Sequence, residues 1–206
     1  MKQLLVDYLP FEITANAVNE SIAKNNGKLI VTGILQRAEA KNQNGRIYPR
    51  DTLVREAKKY SDTFIKQRRA LGELDHPESS VVNLQNASHN ITEMGWSGDN
   101  LIGTVEVLGT PSGNILKELF KAGIKLGISS IGLGSVETVA EEDGEVPAQE
   151  VQPDFELIAF DFVSNPSTQG AFMFPMKESV NKERAPELCD VYCKTESIIS
   201  DIISGV

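Results

Sequence analysis

Residues 82–108, VNLQNASHNITEMGWSGDNLIGTVEVL, decide the fold class of this chain. Two runs rich in β-branched and aromatic residues, 82–96 and 101–108, flank Ser97-Gly98-Asp99-Asn100, a tight-turn sequence. That pattern predicts a β-hairpin. Upstream, KLIVTGILQRA at 28–38 alternates like a further strand, and ALGEL at 70–74 like a short one. Downstream, residues 126–140 and 154–163 (DFELIAFDFV) read as two more strands, separated by an acidic loop at 141–153. Helical spacing appears in a lead-in segment at 16–24 and in a stretch to about 67, where Asp51 is the expected cap. It recurs in NILKELFKAG at 114–123, after Thr110-Pro111 and with Gly123 at the stop. The two main helices are segregated from the strands rather than alternating with them. The class expected is therefore α+β, built on an antiparallel sheet or barrel.

The composition bounds the function. A chain of 206 residues, 40% hydrophobic and 24% charged, is that of a soluble globular protein, most simply one domain. No apolar run is long enough to span a bilayer, and Asp7, Pro10 and Glu12 interrupt any leader-like segment at the start. A cytoplasmic protein that does not engage membranes is expected. The net charge of −9 argues against nucleic-acid binding. Lysine and arginine are absent from 126–176, whereas basic residues gather between Arg46 and Arg69. That stretch reads either as a solvated helix face or as a positive face for an acidic partner. Cys189 and Cys193, spaced C-x-x-x-C, lack the partners of a structural zinc site, so no metal and no cofactor is expected.

Two short motifs carry the chemistry. Residues 70–76, ALGELDH, place one of two histidines at the end of an alternating run, directly before Pro77. Residues 127–135, GISSIGLGS, place a serine pair among small residues and glycines, where a backbone can approach a substrate closely. A histidine base and a hydroxyl nucleophile are the minimum equipment of a serine hydrolase. Alternation along a strand puts Ser129 and Ser130 on opposite faces, so one of them can meet the histidine. The chain has no G-x-S-x-G elbow, which lowers the reading as a small-ester hydrolase.

Several fragments in order, GILQRAEAKNQNGRIYP, LGELDHP, NASHNITEMGW, GTVEVLGTPSGN, GISSIGLGS and FDFVSNPST, resemble the prohead maturation proteases of tailed bacteriophages. The branch they resemble is the prohead core protein protease, related to herpesvirus assemblins. The resemblance covers roughly 28–176 and implies a mostly antiparallel β-barrel flanked by helices, herpesvirus-protease-like. It implies a protease domain at 28–176, preceded by a lead-in at 1–27 and followed by a tail at 177–206. It also implies a serine endopeptidase acting on phage scaffold or core proteins and the major capsid protein. The place of action would be the immature head in the host cytoplasm, with a homo-oligomer open as an arrangement. Onto the matching positions it carries His76 as general base and Ser129 as nucleophile. Asp161 is the expected third member. Glu73, Asp75 and His89 are its rivals, the first two weakened because strand alternation would point them away from His76.

One position departs from the family pattern: Ile131 stands where family members commonly carry arginine after the serine pair. A contact to the oxyanion or the substrate is thereby in doubt, and a non-catalytic, protease-like component of the prohead core is the alternative reading. The branch tends to cut after a glutamate preceded two residues earlier by an aliphatic residue. Met176-Lys177-Glu178 fits approximately, so self-cleavage near Glu178 that sheds 179–206 is expected. Leu71-Gly72-Glu73, Ile91-Thr92-Glu93 and Leu116-Lys117-Glu118 fit the same loose pattern.

Overall fold

The hairpin forms as β4 (Ala87–Ser97) and β5 (Asn100–Val107), with Gly98 at φ 55° in the turn that its lack of Cβ permits. This is a computed structural model, and it describes residues 15–75, 81–139 and 147–176. The first strand starts later than its composition suggests. Asn83 folds the chain into a turn instead: its side chain accepts the Gln85 N–H at 3.0 Å, and its carbonyl accepts the Asn86 N–H at 2.9 Å.

Around the hairpin lie β1 (Leu29–Arg37), antiparallel to β5, and β3 (Leu71–Glu73), antiparallel to β4. A last strand, Met173–Pro175, covers the other side of β1, giving a five-stranded antiparallel sheet. β1 carries a bulge between Ile34 and Gln36, which resets its alternation and buries Gln36.

Two smaller sheets complete the strands. One contains β2 (Arg46–Ile47), β7 (Val136–Val139) and β8 (Ala148–Val151). The other pairs β6 (Gly127–Leu133) with β9 (Glu156–Val163), antiparallel. The single strand expected over 126–140 is thus two. The break comes at Ser135, whose N–H and hydroxyl both donate to Asp154 Oδ1, at 2.9 and 3.0 Å. β8 lies within the segment expected as an acidic loop. Its two buried ends, Ala148 and Val151, enclose polar residues and give too little pattern to read. With β10 as the label for Met173–Pro175, isolated bridges Leu74–Phe162 and Gly127–Phe172 set β9 beside β3 and β6 beside the approach to β10. The β6–β9 pair therefore spans the two outer strands of the larger sheet. No continuous ladder closes the ring among the described residues: the expected closed barrel is replaced by three mostly antiparallel sheets in a mixed α/β fold.

Among the described residues, three helices cover these sheets. α1 (Ala15–Lys24) is docked by Val18 in the core and by the Ser21 hydroxyl, which donates to the Ile30 carbonyl at 2.9 Å. α2 (Arg50–Tyr60) runs on into a π-helical turn over Ser61–Ile65. Its N-cap position is Pro49, not Asp51, and the Arg50 N–H is capped by the Glu39 carboxylate from outside the helix. α3 (Pro111–Lys121) starts as the sequence indicates: the Thr110 hydroxyl accepts the Gly113 N–H at 3.1 Å, with proline at the first helical position. The core beneath joins Leu29, Val31, Ile91, Val105, Phe120, Ile128, Phe160 and Phe162. Edge-to-face ring pairs Tyr60–Phe160 and Phe120–Phe162 lock α2 and α3 onto β9. Among the described residues, no helix is long and apolar enough to cross a membrane.

Candidate active site

The β6–β9 ladder puts Ser129 directly opposite Asp161. Directly paired residues share a face, with Cβ atoms roughly 5 Å apart. Both are buried, Ser129 at 3% and Asp161 at 0% exposure. The next pair, Ser130 and Phe160, therefore faces the other way, toward the core ring of Phe160. The two serine hydroxyls have different partners. Ser129 Oγ lies 3.1 Å from Ser167 Oγ, whereas Ser130 Oγ accepts from Gln36 Nε2 at 3.1 Å.

Asp161 also reaches β3. Its Oδ1 accepts the Glu73 N–H at 2.8 Å, and its charge adds to burial in pushing the Tyr60 phenol pKa upward. β3 ends where the chain runs to residue 76. The Asp75 N–H donates to the Phe162 carbonyl at 2.8 Å, and Asp75 adopts φ 71°, a left-handed conformation. Extended alternation therefore stops before His76, and it no longer ranks Glu73 or Asp75 against Asp161. The Glu73 carboxylate, 1% exposed, accepts the Asn83 N–H at 2.6 Å. His76 itself lies outside the described residues, as do Glu178, Cys189 and Cys193.

His89 is a core residue. In β4, fully buried, its Nδ1 accepts from the Ser88 hydroxyl at 2.8 Å and its Nε2–H donates to the Phe160 carbonyl at 2.9 Å, which fixes the neutral tautomer. Burial lowers its pKa to about 4. Phe162 packs edge-on against the ring, and Gly72 admits it from the other side, since a Cβ there would fall 2.5 Å from the imidazole. Both ring nitrogens are engaged away from Ser129.

Much of the basic stretch is paired within the chain. Arg50 pairs with Asp99, Lys58 and Lys66 with Asp62, Lys59 with Glu156, and Arg68 with Glu106. Of the two readings of this stretch, these ion pairs agree with the solvated helix face; as exposed pairs each is worth little to stability.

Three residues near Ser129 carried no role in the sequence reading. Ser167 touches its hydroxyl. Gln36 is 1% exposed and uses both ends of its amide, donating to Ser130 and accepting from the Thr168 hydroxyl. The available signal was a glutamine in a mostly apolar strand, but only the bulge explains why it turns inward.

Comparison with known proteins identifies the family. The sequence profile of the prohead core protein serine protease family matches residues 6–182. The prohead core protein protease of Enterobacteria phage T4 is 32% identical over 169 residues, covering 80% of this chain and 77% of that protein. The structure of the bacteriophage T4 capsid assembly protease superposes with a TM-score of 0.60 at 31% identity, over 66% of this chain and 81% of that one. On these grounds the chain belongs to the prohead core protein serine protease family.

Proposed function

We propose that this chain is the serine endopeptidase that cleaves scaffold or core proteins and the major capsid protein inside the immature phage head, with Ser129 as nucleophile. The observation that carries the assignment is the Ser129–Asp161 pair, buried side by side, with Asp161 bonded to the strand that leads to residue 76. In this reading Ser129 Oγ attacks the scissile carbonyl and His76 takes its proton. His76 then returns that proton to the leaving amine, and water repeats the sequence on the acyl-enzyme. Asp161 orients the imidazole and stabilises its charged form. The near-ring formed through Leu74–Phe162 and Gly127–Phe172 supports a relation to the herpesvirus-protease barrel.

Self-cleavage near Glu178 is part of the proposal, with 28–176 as the protease domain and 179–206 as the part of the 177–206 tail that is shed. The rival sites are poor substrates, because a protease reads an accessible extended segment. Glu73 and Glu93 lie in paired strands, and Glu118 lies in α3. The main test is co-expression with the phage scaffold protein. Wild type is expected to process the scaffold, and Ser129→Ala and His76→Ala to leave it intact. Processing by folded Ser129→Ala would overturn the assignment.

A further inference from the structure

A serine that attacks while giving its proton to a base must receive any other hydrogen bond as an acceptor. It also needs a donor for the charge that develops on the carbonyl oxygen. The Ile131 side chain supplies none. We propose that the Ser167 hydroxyl is that donor, an inference that rests on the reading of Ser129 as the nucleophile. Ser167 Oγ lies 3.1 Å from Ser129 Oγ. With the Ser129 proton directed at the base, Ser167 donates to Ser129 Oγ in the resting enzyme. As Oγ bonds to the carbonyl carbon, the carbonyl π electrons move onto oxygen and the Ser129 proton moves to the base. The oxyanion is then one bond from the carbon that Oγ has joined, so rotation of the Ser167 hydroxyl brings its proton onto it. When the C–N bond breaks, the base returns the proton to the amine and Ser167 donates again to the ester oxygen.

Ser167 is held for this task from both sides. Its carbonyl accepts the Gln43 N–H at 2.9 Å. The neighbouring Thr168 hydroxyl donates to Gln36 Oε1, and Gln36 Nε2 donates to Ser130 Oγ at 3.1 Å. One buried amide thus ties the loop carrying Ser167 to the strand carrying Ser129. The same loop is fastened to β6 again where the Ile128 N–H donates to the Ala171 carbonyl at 2.9 Å. Gln36, Thr168 and Ser130 are accordingly positioning residues, and Ser167 touches the reacting atom.

The test follows the phosphonylation rate of the full chain by a fluorophosphonate, whose phosphoryl oxygen occupies the oxyanion position as fluoride leaves, with the adduct mapped by mass spectrometry. Wild type is expected to carry the label on Ser129. Ser167→Ala should react roughly 10²-fold more slowly with an unchanged unfolding midpoint. Ser167→Thr, which keeps the hydroxyl, should recover most of the rate. If the alanine variant does not fold, Ser167→Cys, similar in shape but a far weaker donor, makes the same comparison. A wild-type rate on Ser129 in the folded alanine or cysteine variant overturns the role of Ser167 alone, and so does a threonine variant as slow as alanine. A wild-type label on any other residue overturns the nucleophile assignment and this inference with it.

Discussion

Asp161→Asn separates the charge of this residue from its structural bond. Asp161 is fully buried, and its Oδ1 accepts the Glu73 N–H at 2.8 Å. Asparagine has nearly the same shape and keeps a carbonyl oxygen for that N–H, so the expected stability cost is about 1 kcal/mol, the difference between a charge-assisted and a neutral hydrogen bond. Alanine would instead orphan a buried N–H, at about 1–3 kcal/mol, and confound the result. If Asp161 orients the imidazole and stabilises its charged form, losing the carboxylate costs roughly 10³–10⁴ in kcat, or about 4–5.5 kcal/mol of barrier. Glu73→Gln is the matched control, because its amide oxygen can still accept the Asn83 N–H, and activity within a few-fold of wild type is expected. Cleavage of purified scaffold protein gives the rates, and urea unfolding of the same preparations gives the stabilities. Asp161→Asn within tenfold of wild type would refute the reasoning. Loss of activity in Glu73→Gln with Asp161→Asn active would transfer the role to Glu73.

The remaining predictions concern His89 and Glu178. Because the folded pKa of His89 is lowered to about 4 from an ordinary 6.5, the unfolded chain binds the extra proton between those values, and the stabilisation is complete above pH 6.5 and lost as pH falls toward 4. About 2 kcal/mol should disappear between pH 7 and 5; urea titrations of wild type and His89→Gln should show that the glutamine variant lacks this component, and equal pH slopes would refute it. For the tail, intact-mass measurement of protein from matured heads should find the chain ending at Glu178 in wild type and full length in Glu178→Ala. A full-length wild-type chain there would refute the self-cleavage.

The sequence was most legible where one local rule governs an element. The Ser97–Asn100 turn and the Thr110-Pro111 helix start each follow from a few adjacent residues, and they formed with little displacement. It was least legible where a distant side chain intervenes. Asp154 ends β6 from the turn before β9, Glu39 caps α2 from the preceding loop, and the β1 bulge turns Gln36 inward. The site divides in the same way. Ser129, a candidate from the serine-pair motif, and Asp161, a candidate from the family resemblance, are set opposite each other by the β6–β9 register alone. The parts played by Glu73, Gln36 and Ser167 depend on loops that meet in space. The assumption of extended backbone through His76 failed at Asp75, because φ 71° breaks the alternation on which the ranking of Glu73 and Asp75 rested.

The most direct test compares Ser129→Ala with Ser130→Ala, each purified, folded and given the same scaffold protein. The account predicts that Ser129→Ala produces no cleavage, whereas Ser130→Ala, which loosens the Gln36 tie to the Ser167 loop but keeps the nucleophile, still cuts at a reduced rate. An inactive Ser130→Ala beside an active Ser129→Ala would contradict it.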